Sequence, residues 1–494
     1  MGMHILITFA LVLVFSVVFV NGEGGIFKVK HKFGCEANRS LKDLAAHDKT
    51  RHGRNLAAID IPLGGDGKAT GTGLYYTKLA IGSPPKDYFL HVDTGSDLLW
   101  VNCIQCFPCA LFTNVDDLTL KRYNPKSSST STLVPCSDRF CTGMNNVTIP
   151  GCSSTDICGY GIQYGDGSGS AGYYVKDVIG FDQVSGDLQK TIGNAAISFG
   201  CGMEQTGKLA SSNGALDGII GFGASNVSML SQLASYGKVK KKFAHCLDGK
   251  NGGGIFAIGD IVQPTLRTTP LVPNTTHYNV NMESVQVGDT VLDIPTQVFK
   301  GKNGNVTIID SGTTLAYLPG EIFVPLKQMI LTSQANLNIH LVDDLLDCFK
   351  FDKSIDTSFP TITFGFENSL KLNVYPHDYL IPYKNEWCFG FVDSGDLKSN
   401  GVRDLIILGD LVLANKLVLY DLENQVLGLS DYNCSSTIGL KDEVTGAINQ
   451  VGPHDLSPSH TSPSHTSSSH ARYHMDFGRV MKLLLLSFML YNCA

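Results

Sequence analysis

An aspartate followed by a hydroxyl residue, a glycine and a second hydroxyl residue occurs twice in this chain, each time after an apolar run: HVDTGSDLLW at 91–100 and VTIIDSGTTLAYLP at 306–319. Burying an ionised carboxylate between strands costs several kcal/mol unless it is paired or hydrogen-bonded. One such motif needs a partner for its charge, and a second copy supplies it. Asp93 and Asp310 stand 217 residues apart, about the size of a lobe, so the pattern predicts two related halves brought face to face. Unrelated Asx turns at strand ends would explain either copy singly, but not the repetition of the whole design.

Two carboxylates within hydrogen-bonding distance cannot both ionise, so they share a proton and one is acid while the other is base. Such a pair polarises a trapped water and protonates the carbonyl that the water attacks, which is hydrolysis without a covalent intermediate. Gly95 and Gly312 allow the two loops to approach. Thr94 and Ser311 can hydrogen-bond across to the opposite loop, and Ser96 and Thr313 can each bond the outer oxygen of the aspartate beside them.

These motifs resemble those of the pepsin-type aspartic proteases, over about Leu74 to Cys434. The resemblance implies a mostly β, bilobal fold with an active-site cleft between two related β lobes, each giving one aspartate. IQYGDGSGSAGYYVKD at 162–177 is similar to the family's flap, with Tyr164 and Gly165 at its tip and Trp100 as the partner of the tyrosine hydroxyl. DGIIGFG at 217–223 and LIILGDLVL at 405–413 look like the two apolar-apolar-Gly strands that thread behind the aspartate loops. The implied activity is acid-range endopeptidase hydrolysis of peptide or protein substrates, with apolar residues preferred at the cut. The resemblance calls for no cofactor or metal and suggests a monomer. The cysteine-rich insertion after the first motif resembles the plant nepenthesin-like and lipid-anchored members more than the animal pepsins.

Local chemistry supports the flap independently. Ile162 and Tyr164, then Gly165-Asp166-Gly167-Ser168, then Tyr173, Tyr174 and Val175 read as a hairpin with a glycine-rich, mobile turn, which places Tyr164 at a solvent-facing tip. With 43% hydrophobic residues and 52 glycines in 494, the chain can bury a large core but is too punctuated for a helical protein. Helices are expected at 226–237 and 321–333. A net charge of −7 provides no basic footprint for nucleic acid.

The ends read as targeting segments. Residues 1–22 carry an apolar run and small residues suited to signal cleavage. Residues 23–70 form a basic, polar pro-segment, followed by lobes at 71–272 and 273–434. Residues 435–479 read as a flexible Ser/Pro/His stalk whose histidines lack the rigid geometry a metal needs. Residues 480–494 form a short apolar tail, so the order of small residues, spacer and tail matches a lipid-anchor signal and places the product outside the plasma membrane; secretion to wall or vacuole is the rival. Without Cys35 and Cys493, the 14 cysteines leave an even set for disulfides in an oxidising compartment. Cys136, Cys141, Cys152 and Cys158 would staple loops near the flap, Cys348 and Cys388 would pair, and CIQCFPC at 103–109 reads as disulfide rather than metal chemistry. Sequons stand at Asn146, Asn226, Asn274, Asn305 and Asn433. A second class of function, a catalytically inactive pepsin-like binding or inhibitor protein at the cell surface, would be expected to show losses at the motif residues, and all are present.

Overall fold

The computed structural model describes residues 56–456 except 69–74, 143–151, 301–306, 396–403 and positions 116, 154, 264, 333, 335, 344 and 444. The expected signal segment, the pro-segment up to 55, the chain from 457 onward and the sequons at Asn146 and Asn305 lie outside the described residues.

Two strand triplets organise the molecule. In the first, Lys86–Asp93 runs parallel to Gly218–Gly221 with Asp93 opposite Gly221, and Leu99–Asn102 returns antiparallel on the other side of that same strand. In the second, Thr307–Ile309 runs parallel to Ile407–Leu408, and Ala316–Leu318 returns antiparallel to it. Each aspartate loop is thus a detour around a third strand that arrives much later in sequence. Strands flanked on both sides and covered on both faces must be apolar throughout, and Gly218–Gly221 is buried at every position. The closing glycines have steric cause: a Cβ on Gly221 would stand 2.4 Å from the Asp97 carbonyl carbon, and one on Gly409 2.2 Å from the Thr313 oxygen.

The two halves are joined by strand pairing. A 14-stranded sheet includes Ile59–Gly64, which belongs to the segment read as pro-segment yet is buried here between two strands, together with Lys242–Leu247 from the first half and Lys416–Asp421 from the second, with His245 opposite Val418. An aromatic layer lies on it: Phe243 stacks on Tyr420 at 4.4 Å, and Phe222 meets Phe256 at 4.4 Å. Offset ring packing of this kind adds to simple burial. The expected helices form as Met229–Ser235 and Gly320–Thr332. The first starts late because the Ser228 hydroxyl accepts from Ser231 N and caps it. The second buries Ile322, Leu326 and Ile330, one face at a spacing of four.

Six disulfides join Cys103–Cys201, Cys106–Cys109, Cys136–Cys152, Cys141–Cys158, Cys246–Cys434 and Cys348–Cys388. The twelve cysteines set aside for bridges are those that pair. One region departs from the composition-based reading: part of the segment assigned to a flexible stalk is folded. Ile438–Lys441 pairs with Asp260–Val262 and with Ile448–Val451. Ile438, Leu440 and Val451 are buried. Leu456 N donates to the Leu63 carbonyl at 3.0 Å, and His454 meets buried Asp60 at 2.9 Å. The Ser/Pro/His run further on dominated the composition and hid this short apolar alternation. Among the described residues no helix is long and apolar enough to cross a membrane.

Candidate active site

Both aspartates lie where a buried strand ends and the chain turns. Asp93 Oδ1 accepts from Gly95 N at 2.8 Å and Oδ2 from the Ser96 hydroxyl at 2.5 Å. Asp310 Oδ1 accepts from Gly312 N at 2.8 Å and Oδ2 from the Thr313 hydroxyl at 2.6 Å. The glycines are the contact between loops. A Cβ on Gly95 would fall 2.5 Å from Asp310 Oδ1, and one on Gly312 2.1 Å from Asp93 Oδ1 and 3.1 Å from Asp310 Oδ1. Any side chain at either position would strike a carboxylate, so only glycine lets the two acids face one another.

The loops are tied across by the Ser311 N–H, which donates to the Thr94 hydroxyl at 2.8 Å. Here the structure differs from the symmetric exchange of hydroxyl bonds read from sequence. Thr94 also meets the Tyr420 hydroxyl, while Ser311 contributes its backbone and its own buried hydroxyl has no partner among the described residues. Thr94 is fully buried with the aromatic layer beneath it, which gives its hydroxyl a second bond that Ser311 lacks.

Burial pushes the Asp93 carboxyl up from its usual range, opposed by the Ser96 and Gly95 bonds. Asp310 is pushed up to about 6, first by burial and then by the charge of Asp93. Both carboxyls are raised, so the pair titrates as a unit that holds one shared proton above the ordinary carboxylate range.

Over the pair lies the hairpin formed by Gly159–Gln163 and Gly169–Gly186. Its turn closes by Tyr164 N to the Ser168 carbonyl at 2.8 Å and Gly167 N to the Tyr164 carbonyl at 2.9 Å, with Gly167 at φ 82°. Gly165 is exposed at the tip. Tyr164 does not point to solvent as the hairpin pattern suggested. Its side chain packs against the buried cluster that contains Leu98, Trp100 and Ile219, and its hydroxyl accepts from Trp100 Nε1 at 2.7 Å and meets Ser96. Burial first, and the nearby Asp93 charge second, push the phenol far above its ordinary value, so it stays a neutral donor.

Three neighbouring groups were not singled out from sequence. Asp410, directly after Gly409, is buried, its Oδ1 has no partner among the described residues, and burial and the two dyad charges push it well above the carboxylate range. His91 is buried beside Asp310 and lowered to about 4 by that burial. His277 reaches the first loop from the second half, its Nδ1 2.9 Å from the Gly95 carbonyl. Asp410 had a legible signal, since the equivalent position after Gly221 is Phe222. The histidines had none.

The one cluster of three potential metal ligands among the described residues, Cys136, Cys141 and Cys152, has its sulfurs engaged in disulfides.

A two-lobed β molecule with a pair of facing Asp-hydroxyl-Gly loops under a tyrosine-bearing hairpin defines a class, and comparison places the chain within it. Family models described as xylanase inhibitor N-terminal and C-terminal match residues 75–260 and 277–431. Aspartic proteinase 36 of Arabidopsis thaliana is 46% identical over 448 residues, covering 90% of this chain and 91% of its own length. Aspartic proteinase nepenthesin-2 of Nepenthes gracilis is 29% identical over 383 residues, covering 74% and 79%. Among solved structures, that of edgp has a TM-score of 0.62 at 22% identity and covers 77% of this chain and 96% of the other, a likeness of fold. The chain belongs to the pepsin-like aspartic protease family.

Proposed function

We propose that the chain is an aspartic endopeptidase in which Asp93 and Asp310 activate one water between them. The observation that carries this reading is the mutual approach of the loops, with Gly95 against Asp310 and Gly312 against Asp93. Asp93 takes a proton from the water while Asp310 gives its proton to the peptide carbonyl oxygen, and the tetrahedral diol that forms is uncharged. Its collapse breaks the C–N bond as the nitrogen receives the proton held on Asp93 and a hydroxyl proton returns to Asp310. Atoms and charge balance over the cycle, and no covalent intermediate forms. Tyr164, held by Trp100, covers the pair and excludes bulk water.

Because Asp310 is raised to about 6, the singly protonated pair is lost as pH rises through that value, so hydrolysis belongs to the acid range. Substrates are extended peptides with large apolar residues flanking the cut. The rest of the reading is a disulfide-braced, glycosylated precursor that enters the secretory pathway, loses a basic pro-segment and works as a monomer. It is held outside the plasma membrane by a lipid that replaces the 480–494 tail. Release of hydrolytic activity from intact cells by phosphatidylinositol-specific phospholipase C tests the anchor. Activity already free in the medium with an intact C-terminal peptide overturns it.

The test of the activity is hydrolysis of an unfolded protein at acid pH by the purified chain and its D93N and D310N variants, each folded as judged by melting. A second reading, a binding protein without hydrolytic activity, has support in the description of the matching family models as xylanase inhibitor. It predicts no hydrolysis by the wild type and inhibition of a xylanase that D93N leaves intact.

A further inference from the structure

His277 crosses from the second half of the chain to the Asp93 loop. It is half-buried and precedes the strand Asn279–Val280; the hydroxyl of the next residue, Tyr278, donates to the Phe222 carbonyl at 2.6 Å. Its backbone is pinned by Thr275, whose hydroxyl reaches both the His277 and the Val272 carbonyls at 3.0 Å. The ring is therefore held from both sides in sequence.

The 2.9 Å contact from Nδ1 to the Gly95 carbonyl fixes the chemistry of the ring. A carbonyl oxygen only accepts, so Nδ1 carries the hydrogen and Nε2 is where a further proton is taken up. The bond survives in both charge states. The Gly95 carbonyl shares its peptide group with the Ser96 N–H, and that N–H bonds the Asp93 carboxylate. One peptide group thus lies between imidazole and carboxylate, and a donor at its oxygen end strengthens the N–H at its other end.

We propose that His277 is a positioning residue of the aspartate pair: it ties the Asp93 loop to the second half through the Gly95–Ser96 peptide, and its charge sets the acidity at which the pair exchanges its shared proton. The inference rests on the proteolytic reading of that pair.

Among the described residues, three acids couple to the ring. Asp93 and Asp97 face it from the first half and Asp310 from the second, and an imidazolium favours the ionised form of each. Asp97 is otherwise held by Ser225 N at 3.0 Å. Asp410, behind the loops, acts in the opposite sense through its coupling to both aspartates. His91 cannot substitute, because burial lowers it to about 4 and keeps it neutral through most of the working range. His277 is the imidazole bonded to the peptide group whose N–H reaches Asp93.

Three variants separate its two roles. H277Q keeps an N–H donor for the Gly95 carbonyl but carries no charge; H277F removes both; H277K keeps a charge. For the wild type and each variant, kcat/KM on one peptide is measured from pH 2 to 7. Without the imidazolium both carboxyls hold protons to higher pH, so the acid limb of the H277Q profile moves up by about half to one pH unit. Its plateau falls less than about tenfold, the value of one hydrogen bond's weakening. H277F shifts the limb equally and loses about tenfold or more in kcat as the loop loosens, whereas H277K keeps the acid limb of the wild type. A purely structural residue would lower the plateau and leave the limbs in place, so an unmoved acid limb in H277Q overturns the proposal.

A second readout needs no turnover. The difference in melting temperature between wild type and H277Q should change between pH 3 and pH 6, and that change should shrink by about half or more when D93N is already present. Coupling without any wild-type hydrolysis would overturn the endopeptidase reading and keep the role of His277. Hydrolysis without coupling would do the reverse.

Discussion

In the first loop Asp93 receives the Gly95 N–H at 2.8 Å and the Ser96 hydroxyl at 2.5 Å; in the second Asp310 receives the Gly312 N–H at 2.8 Å and the Thr313 hydroxyl at 2.6 Å. The inner chemistry is duplicated. The surroundings are not. Behind the first loop, Gly221 is followed by Phe222, fully buried in the aromatic layer; behind the second, Gly409 is followed by Asp410, equally inaccessible but with an unpaired oxygen. The first loop also has the flap, through Tyr164 on Ser96, and the His277 bond. The duplication thus supplies the symmetry that lets two acids share a proton. The asymmetry lies in the second layer, where the two acids can be made different at no cost to that geometry.

The largest test breaks both loops in turn. D93N and D310N should each reduce hydrolysis by at least about 10³-fold, since an amide takes neither the base nor the acid role, while circular dichroism and melting stay close to wild type. Equal losses would support one shared machine. Appreciable turnover in either variant would mean that the loops are not equivalent partners.

A methyl group probes the contact between loops. G95A and G312A should each cost about 10²-fold in kcat through displacement of the opposing carboxylate, with G312A the worse because its Cβ would come closer, 2.1 Å against 2.5 Å. Crystal or solution structures of the variants would show whether the loops part.

The hydroxyl bonds sharpen the comparison further. S96A and T313A each remove one bond to a carboxylate, worth about tenfold in kcat/KM. S96A should lose more, because Ser96 also contacts Tyr164 and its loss frees the flap. Matching losses would separate the flap from the first loop.

The smallest effect is on stability. Asp410 is raised in the folded chain, so as pH climbs above the ordinary carboxyl range the unfolded chain releases a proton that the native chain keeps, and stability is lost with rising pH. D410N removes that loss. Its melting temperature should equal that of the wild type near pH 4 and exceed it by about 2–4 °C at pH 7, whereas F222L, in the matching first-half position, should give a difference independent of pH.

Much of this arrangement was legible in the letters. Asp93, Asp310, their hydroxyl neighbours and the two glycines occupy a short, repeated pattern in which each residue type has a local duty, so the repetition itself predicted facing loops. Trp100 and Tyr164, 64 residues apart, were paired only through resemblance to a family, and the structure puts their polar atoms 2.7 Å apart. The direction of the Tyr164 ring was misread because a hairpin pattern determines which face a residue occupies but not what packs against that face. The folded segment at 438–451 was missed because strand pairing with Asp260–Val262 is a contact across the chain that composition does not encode.

By itself the sequence determined the inner shell: which carboxylates are duplicated and which hydroxyls stand beside each acid, because these are fixed by bonds spanning two or three residues. Only the tertiary structure decided that the pair keeps a shared proton above the ordinary carboxylate range, since burial and the proximity of the two acids act through space. The same holds for His277, 182 residues from the carbonyl it bonds, and for Asp410, whose unpaired oxygen exists only because the folded chain closes over it. Electrostatic and packing effects depend on distance in three dimensions, and that distance is set when the two halves meet.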